Sequence, residues 1–378
     1  MKKQILLLLC GFMLTISFAN GQNLTSAPES CPTARTIECL TGDALNPVPG
    51  LPYTYSVTVP NIEDGSGSYF WMVTQDKDFI VDGVLTENFE TPGSLASHVL
   101  SVDPSANYGT AVTAAGKDEI EIIWKSFVHD PDNPVFVVIE VTGTDANDCP
   151  VNNLKVYMIQ PEHAFTLDIA ALHVDGTILD YDTPAESCFP EIVDARYDAT
   201  SGGVLYDYGT SYVYFIITAA NFNEAWKAYF QVEGVTAPQV LTDIAWQYQA
   251  KYANDTWTSV ADITSPVIDL VEAQDESGAV GATGECIIVR LTLEHNNFEG
   301  IAAQTITLRV DGETELALAT PLKDLHHDDA DAECGKDDGF MYDFAQHIIQ
   351  PRPDVQTNTQ PGPTTKSPFL LNTGDANP

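Results

Sequence analysis

The stretch from Glu119 to Pro161 constrains the fold of this chain more than any other, because it holds three strand-like segments separated by turn formers. Glu119–Trp124 alternates acidic and aliphatic side chains, which is the period of a strand with one buried face. Val135–Val141 is a β-branched run that follows an Asp/Asn/Pro turn, and Leu154–Ile159 alternates again. Short strands joined by such turns predict an all-β fold of antiparallel β-sandwiches.

Residues 1–21 have the pattern of a secretory signal peptide. Lys2 and Lys3 precede an apolar core, and the small residues Ala19 and Gly21 lie just before a cleavage position at Gln22. A membrane anchor is the alternative, but the apolar run is short for a span. We therefore expect an exported protein without membrane insertion, extracellular or on the cell surface, with the periplasm as the alternative.

The charge balance is strongly acidic. The chain has 16 Lys and Arg against 54 Asp and Glu, a formal net charge of −38. Nucleic acids and anionic lipids need a positive surface, so we expect neither as a partner. Divalent cations are the natural counter-ions, and a hydrophobic content of 44% is too high for a disordered acidic chain.

Six cysteines follow the signal sequence, and an even number in an exported chain predicts disulfides. Their spacing contains no CxxC motif, which argues against zinc, haem and thioredoxin-like sites. A division near residue 162 leaves three on each side, so either one bridge connects the two sides or each side keeps a free thiol. Cys39–Cys149 is the pairing we favour. The six are Cys31, Cys39, Cys149, Cys188, Cys286 and Cys334.

Composition divides the remaining chain into four parts. The first is polar and rich in turn formers, with room for one strand at Arg35–Cys39, and the last is a Pro/Thr/Asn/Gln tail without periodicity. Between them, strand patterns predict two sandwiches, and Asn221–Ala228 is the one candidate for a short helix. The predicted parts are a leader at 22–50, a sandwich at 51–161, a second, diverged sandwich at 162–351 and a disordered tail at 352–378.

The first predicted sandwich resembles a PKD-type domain over about residues 40–161. The resemblance rests on Tyr69-Phe70-Trp71, a Gly83 turn, the strand that ends at Trp124, and a later strand that leads to Cys149, with an insertion at 86–118. Such domains are immunoglobulin-like sandwiches of secreted bacterial surface proteins. The resemblance implies a spacer or adhesive role and no catalytic residues.

The second half resembles this family more weakly. Its ending, Met341–Pro351, echoes Tyr157–Pro161, and each is preceded by a cysteine. Two similar endings indicate tandem immunoglobulin-like units.

The densest acidic cluster, Asp324–Gly339, is the candidate metal site. Asp329, Asp331 and Glu333 alternate along it and could supply the carboxylate oxygens that Ca²⁺ prefers. The alternative is a solvated acidic loop without a metal. We expect no other cofactor.

No nucleophile or metalloprotease motif is present, so we expect a protein that is not an enzyme. The leading hypothesis is an exported surface protein with a structural or adhesive role, stabilised by calcium. Its partners would be surface proteins or glycans, and self-association through sheet edges is open to it.

The alternative function is a carbohydrate-binding or accessory glycan-degrading protein. It would use an aromatic platform for stacking on sugars, since the strand alternation places several rings on one face. Packing in the core is the other interpretation of these rings. The platform residues are Trp246, Tyr248, Tyr252 and Trp257.

Overall fold

The regular structure of the chain is almost entirely β, and its sheets pack in pairs as sandwiches. The predicted fold class is therefore confirmed. Among the described residues, no helix is long and apolar enough to cross a membrane. The computed structural model describes residues 23–35, 37, 40–59, 67–94, 96–103, 107–113, 117–127, 129–144, 149–162, 164–222, 225–271, 285–314, 322–325 and 343–354.

The first sandwich contains a three-stranded sheet and a four-stranded sheet, in the orders β1-β7-β5 and β6-β2-β8-β9, while β3 and β4 form a separate hairpin. All ladders between these strands are antiparallel. The strands are β1 Pro52–Ser56, β2 Ser68–Thr74, β3 Ile80–Val81, β4 Val84–Leu85, β5 Val99–Val102, β6 Val112–Thr113, β7 Glu119–Trp124, β8 Val135–Thr144 and β9 Pro150–Ile159.

The core of the first sandwich follows from the strand alternation. In β7, Ile120, Ile122 and Trp124 are buried while Glu119 and Glu121 are exposed, as the period-two pattern predicts. These residues belong to one hydrophobic cluster with inward-facing side chains of the opposite sheet. Residues 86–118, predicted as a long connection, carry the two short strands β5 and β6, because this segment pairs with β7 and β2 at the sheet edges.

The second sandwich is built from two five-stranded sheets, in the orders β10-β14-β19-β16-β17 and β11-β21-β20-β15-β18. Its named ladders are antiparallel except for the β11–β21 pair, and β12 and β13 form a separate hairpin. The strands are β10 Thr166–Leu172, β11 Ala185–Cys188, β12 Asp194–Asp198, β13 Gly203–Asp207, β14 Thr210–Ala220, β15 Trp226–Glu233, β16 Val240–Tyr248, β17 Thr258–Ser259, β18 Val267–Val271, β19 Glu285–Glu294, β20 Gln304–Thr314 and β21 Asp343–Gln350.

A single large cluster fills the space between these two sheets, with Phe215, Trp226 and Val289 among its members. The helix predicted for Asn221–Ala228 is wrong, because β15 begins at Trp226 and pairs along its whole length with β20. The buried side chains of Trp226, Ala228 and Phe230 alternate there. Burial of that face in the core therefore decides the conformation.

Residues 23–35, all of which are described, contain no strand, but they are packed on the second sandwich. We call residues 23–35 the strap. Leu24 is completely buried, and Cys31 forms a disulfide with Cys286 in β19. The leader predicted for residues 22–50 stays a prediction, and the attachment of the strap to the second sandwich was not foreseen. Most of the strand predicted for Arg35–Cys39 lies outside the described residues.

After the strap, the chain crosses to the first sandwich and is bonded to the segment that connects the two sandwiches. The amide of Gln160 donates to the carbonyl of Leu45 (2.8 Å), and the amide of Glu162 donates to that of Pro47 (3.0 Å). The amide of Gly50 donates to the carbonyl of Trp124 in β7 (2.9 Å). The N-terminal segment is therefore bonded to both halves of the molecule.

A small cluster of apolar residues lies beside these bonds. It brings the N-terminal segment together with residues that flank β10 and follow β20. Its buried members are Ile37, Val48, Ala164 and Leu325.

Candidate functional site

The candidate site is the outer face of the β10-β14-β19-β16-β17 sheet, on which the strap is held by apolar contacts, hydrogen bonds and a disulfide. In β14, Val213 and Phe215 face the core between the sheets, while Tyr214 and Ile216 face outward. All four are nonetheless buried. A strand buried on both faces is apolar throughout, which is why this strand lacks the usual alternation.

A pocket on this outer face receives the side chain of Leu24. Its buried walls are Leu172 of β10, Tyr214 of β14 and Ile288 of β19. Tyr252 and Trp257, from the connection between β16 and β17, are partly buried against the same cluster. We call these side chains the leucine pocket.

The main chain of Leu24 is bonded by side chains of the sheet and its loops. The Leu24 amide donates to the phenol oxygen of Tyr214 (3.1 Å). Its carbonyl accepts from the Tyr252 hydroxyl (2.7 Å) and from Asn254 Nδ2 (3.1 Å). Burial raises the pKa of the Tyr214 phenol, which therefore stays neutral. Both the amide and the carbonyl of Leu24 are thus hydrogen-bonded.

The rest of the strap is fixed at intervals along the sheet. The Thr25 amide donates to the carbonyl of Val174 (2.7 Å), and Gln249 Nε2 donates to the carbonyl of Pro28 (2.5 Å). Tyr181 donates from its hydroxyl to the carbonyl of Thr33 (3.1 Å). These contacts come from loops that are distant in sequence, so the folded sandwich forms the groove.

The strap ends in a polar contact. The amide of Arg35 donates to Asp168 Oδ2 (2.8 Å), and its guanidinium pairs with Asp182 (Nη2–Oδ2 2.6 Å). The same guanidinium lies 4.4 Å from the ring centre of Tyr181. The last strap residue is thus held by both its main chain and its side chain.

A second aromatic group lies next to the leucine pocket. The Arg290 guanidinium lies between two rings, 4.8 Å from the centre of Tyr212 and 4.5 Å from that of Trp257. Asp243 is 3.6 Å from its Nη2. Cation–π contacts of this kind stabilise a partly desolvated guanidinium and hold the flanking rings in place.

The structure does not place the four predicted platform residues on one face. Trp246 and Tyr248 pack against the core between the sheets, whereas Tyr252 and Trp257 pack on the outer face beside Leu24. The expected alternation is wrong because β16 ends at Tyr248 and the chain turns through a 3-10 segment at Gln249–Lys251. In addition, the hydroxyl of Tyr252 is already engaged by the strap.

The predicted calcium ligands Asp329, Asp331 and Glu333 lie outside the described residues. Within the part of the chain that is described, no group of three or more His, Cys, Asp or Glu side chains is arranged to hold a metal ion.

The disulfide between Cys31 and Cys286 joins residues that are 255 positions apart in sequence. It connects the two sides of the predicted division near residue 162, one of the two arrangements that the cysteine count left open. Cys188 is exposed at the end of β11, and Cys149 is exposed next to β9. The favoured pairing of Cys39 with Cys149 stays a prediction, since Cys39, like Cys334, lies outside the described residues.

Buried carboxylates gather where β10 approaches β20 and β21. Asp324 is 3% exposed, and its Oδ1 accepts from the amide of Leu167 (2.7 Å). Among the described residues its Oδ2 has no hydrogen-bond partner. Burial raises its pKa well above the ordinary value, and the neighbouring carboxylates of Asp343, Asp311 and Asp168 raise it further. This carboxyl therefore keeps its proton to higher pH than an exposed aspartate does.

A buried histidine directly after β19 contacts a serine at the start of β14. The ring of His295 contacts Ser211 Oγ through Nε2 (2.7 Å) and Gln239 Nε2 through Nδ1 (3.0 Å). Gln304 Nε2 donates to the carbonyl of Gly234 (2.8 Å) and to Gln239 Oε1 (2.5 Å), which fixes the orientation of the Gln239 side chain. Gln239 therefore donates to Nδ1, and the proton of His295 lies on Nε2.

In this tautomer the imidazole donates to Ser211, the reverse of the direction that would activate the hydroxyl as a nucleophile. Burial lowers the pKa of His295 to about 4, so the ring is neutral. A second buried histidine, His347, contacts Ser187 Oγ (2.8 Å) and likewise has its pKa lowered to about 4 by burial. Both contacts satisfy buried polar groups of the sandwich.

No family model matches the chain, and no curated protein matches it. Among solved structures, the N-terminal domain of PorA is 12% identical, with 49% of this chain and 96% of that chain covered and a TM-score of 0.21. The CFA/I adhesin CfaE of enterotoxigenic E. coli, as its G168D mutant, is 9% identical, with 88% and 86% covered and a TM-score of 0.28.

The pilus protein RrgB of Streptococcus pneumoniae is 11% identical. The aligned region covers 71% of this chain but only 45% of RrgB, with a TM-score of 0.24. Likenesses this weak carry no information on function. The PKD-type resemblance stays a prediction.

Sequence reasoning missed the strap and its pocket. Leu24 is one apolar residue in a polar segment, and Asn254 is one polar residue in a turn, so neither has a pattern of its own. One signal was available. The run Tyr212–Ala220 is apolar on both faces, which indicates that something must cover the outer face of that sheet.

Proposed function

We propose that this chain is an exported surface protein with a structural or adhesive role and no catalytic activity. The observation that carries the proposal is the attachment of the N-terminal segment to both sandwiches. It is joined to the second by the Cys31–Cys286 disulfide and to the first by the bond from the Gly50 amide to Trp124. Main-chain bonds at Leu45 and Pro47 join it to the segment that connects the two sandwiches. Modules tied in this way resist displacement relative to one another, as a spacer or adhesive protein requires.

Two further properties support export. Disulfides form and persist in oxidising compartments outside the cytosol. A net charge of −38 keeps an exposed protein soluble and makes nucleic acid an unsuitable partner. The proposed partners are surface proteins or glycans. Among the described strands, β9 and β18 lie at the edges of their sheets, and we propose these edges for strand addition between copies.

The proposal is tested on intact cells of the source organism. An antibody to the folded protein should label them, and externally added protease should remove the label while a periplasmic marker stays intact. Deletion of the gene should lower attachment to surfaces or to other cells, and expression of the wild-type gene should restore it. Labelling that appears only after the outer membrane is opened would place the protein in the periplasm and contradict the surface role.

We also propose that calcium stabilises the protein through Asp329, Asp331 and Glu333. Thermal unfolding with calcium and then with excess chelator is the measurement, and chelation should lower the midpoint. A ligand that binds only the native state adds about 2.7 kcal/mol at a hundredfold excess over Kd. In the matched variant Asp329→Asn/Asp331→Asn/Glu333→Gln, chelation should change nothing. An equal response in the variant and the wild type would exclude these residues as the ligands.

A further inference from the structure

The strap lies in its groove in the manner of a bound peptide. Leu24 is fully buried as an anchor in the leucine pocket, and Pro28 is a second buried residue of the strap. Side chains of Tyr214, Tyr252 and Asn254, rather than a β-ladder, bind the amide and carbonyl of that anchor residue. Recognition of one anchor and its flanking peptide groups by a folded surface is typical of peptide-binding sites.

The groove also accommodates the main chain that follows the anchor. Gly176, in the turn after β10, has a φ of +86°, and a Cβ placed there would lie 2.7 Å from the carbonyl oxygen of Ser26 and 2.9 Å from that of Ala27. A larger residue at this position would clash with the strap. The glycine thus leaves room for the strap main chain, which passes directly over this turn.

The parts of the groove come from separate elements that the sandwich itself fixes. Tyr214 is on β14, Ile288 is on β19, and Tyr252 and Asn254 follow β16. The strap forms no strand in this sheet, so its removal breaks none of the ladders of the sandwich. A groove that does not depend on its occupant can accept the same sequence from another chain.

We infer that this outer face is a peptide-recognition site for a segment with a leucine anchor, filled in the resting chain by the strap itself. The ligand it accepts from outside is the same segment of a second copy of this chain. The Cys31–Cys286 disulfide keeps the resting ligand in place, because it holds the strap at a high local concentration over the groove. This inference does not depend on the proposed surface role.

The test uses the full chain with the strap unfastened, the variant Leu24→Asp/Cys31→Ser/Cys286→Ser. A fluorescent peptide of residues 23–35, with serine in place of Cys31, is titrated and its anisotropy is followed. The unfastened variant should bind the peptide, and the wild type, whose groove is filled, should not. Adding Asn254→Ala should weaken binding up to about tenfold, the equivalent of one hydrogen bond of about 1.4 kcal/mol.

Two peptides serve as controls. A peptide with Leu24→Asp should not bind, and equal binding of this peptide or of a scrambled one would overturn the assignment of the leucine pocket. A folded unfastened variant, with wild-type circular dichroism, that binds none of the peptides would overturn the inference as a whole.

A second measurement holds even where the triple variant fails to fold. In the otherwise wild-type chain, Asn254→Ala and Tyr252→Phe should speed hydrogen exchange at the amides of Leu24 and Thr25 several-fold, while the amides of β14 keep their protection. Unchanged exchange in both variants would show that these side chains do not hold the strap, and would equally overturn the inference. Neither result bears on whether the protein is exposed on the cell surface.

Discussion

At the scale of single residues, Tyr55 connects the N-terminal segment to the core of the first sandwich. It is 2% exposed, its hydroxyl donates to the carbonyl of Ala44 (2.5 Å), and it accepts from Trp124 Nε1 (3.0 Å). Tyr55→Phe leaves the buried Trp124 indole N–H and the partly buried Ala44 carbonyl without this partner, so we expect the free energy of unfolding to fall by about 1–3 kcal/mol. Urea denaturation measures it.

Tyr157→Phe is the matched control for that prediction. Its hydroxyl makes one longer bond, to the carbonyl of Ser56 (3.2 Å), at an exposed position. Water can replace that bond, and the effect should be smaller. Equal losses in the two variants would show that burial of the Tyr55 bonds does not matter.

Replacing Asp324 should stabilise the protein, whereas replacing Tyr55 should destabilise it. The pKa of Asp324 in the folded protein is raised above the ordinary 3.8, so the unfolded chain loses this proton at lower pH than the native state does. The free energy of unfolding that depends on this group is therefore highest at low pH and falls as pH rises from 3.8 toward the folded pKa. Asp324→Asn retains the acceptor for the Leu167 amide and removes the ionisation.

We expect Asp324→Asn to stabilise the protein relative to wild type by more at about pH 8 than at about pH 5. Urea denaturation at both values tests this, with Asp255→Asn on an exposed turn as the control for a general loss of negative charge. A difference between variant and wild type that is the same at both pH values would contradict the assignment of a raised pKa.

At the scale of elements, a comparison of two glycines distinguishes the energetic cost of backbone strain from that of a steric clash. Gly234, directly after β15, has a φ of +89°, and a Cβ there would lie 1.9 Å from the carbonyl oxygen of Thr305 in β20. Gly202, between β12 and β13, has a φ of +70° but nothing within 4 Å. The positive φ favours glycine at both positions. Only at Gly234 would a side chain also clash with a neighbouring strand.

Gly202→Ala should therefore lower the free energy of unfolding by about 1 kcal/mol, the strain of a left-handed alanine, while Gly234→Ala should lower it by several kcal/mol. Thermal and urea unfolding of both variants measure the two effects. Similar losses would mean that the β15–β20 approach relaxes without penalty.

Elements with a clean local pattern were predictable from the sequence. The alternation in β7 and the β-branched run in β8 gave strands at the expected places, because burial of one face decides the conformation of each. The end of β16 was not predictable. Its alternation continues past Tyr248, and only the fold shows that the chain turns there and sends Tyr252 to the opposite face.

At the scale of the whole molecule, sequence reasoning lacked the long-range pairings that build the candidate site. The groove is formed by β10, β14, β19 and the loop after β16. In the sequence, the whole first sandwich lies between the strap and these elements. Local patterns carry no information on such pairings, and the cysteine count could not select Cys31 and Cys286. The position of the strap could therefore not be predicted from the sequence. The apolar outer face of β14 indicated only that some segment packs on it.

The charge of the whole molecule leads to the last prediction. A formal net charge of −38 on one folded chain repels itself, and compaction brings those charges together. Sodium chloride should raise the unfolding midpoint between about 0.01 M and about 0.15 M, over which the Debye length falls from ~30 Å to ~8 Å. Calcium at the same ionic strength should raise it further if specific ligands exist. Thermal scans at matched ionic strength separate the two effects, and a midpoint that does not respond to sodium chloride would show that self-repulsion is already balanced in the fold.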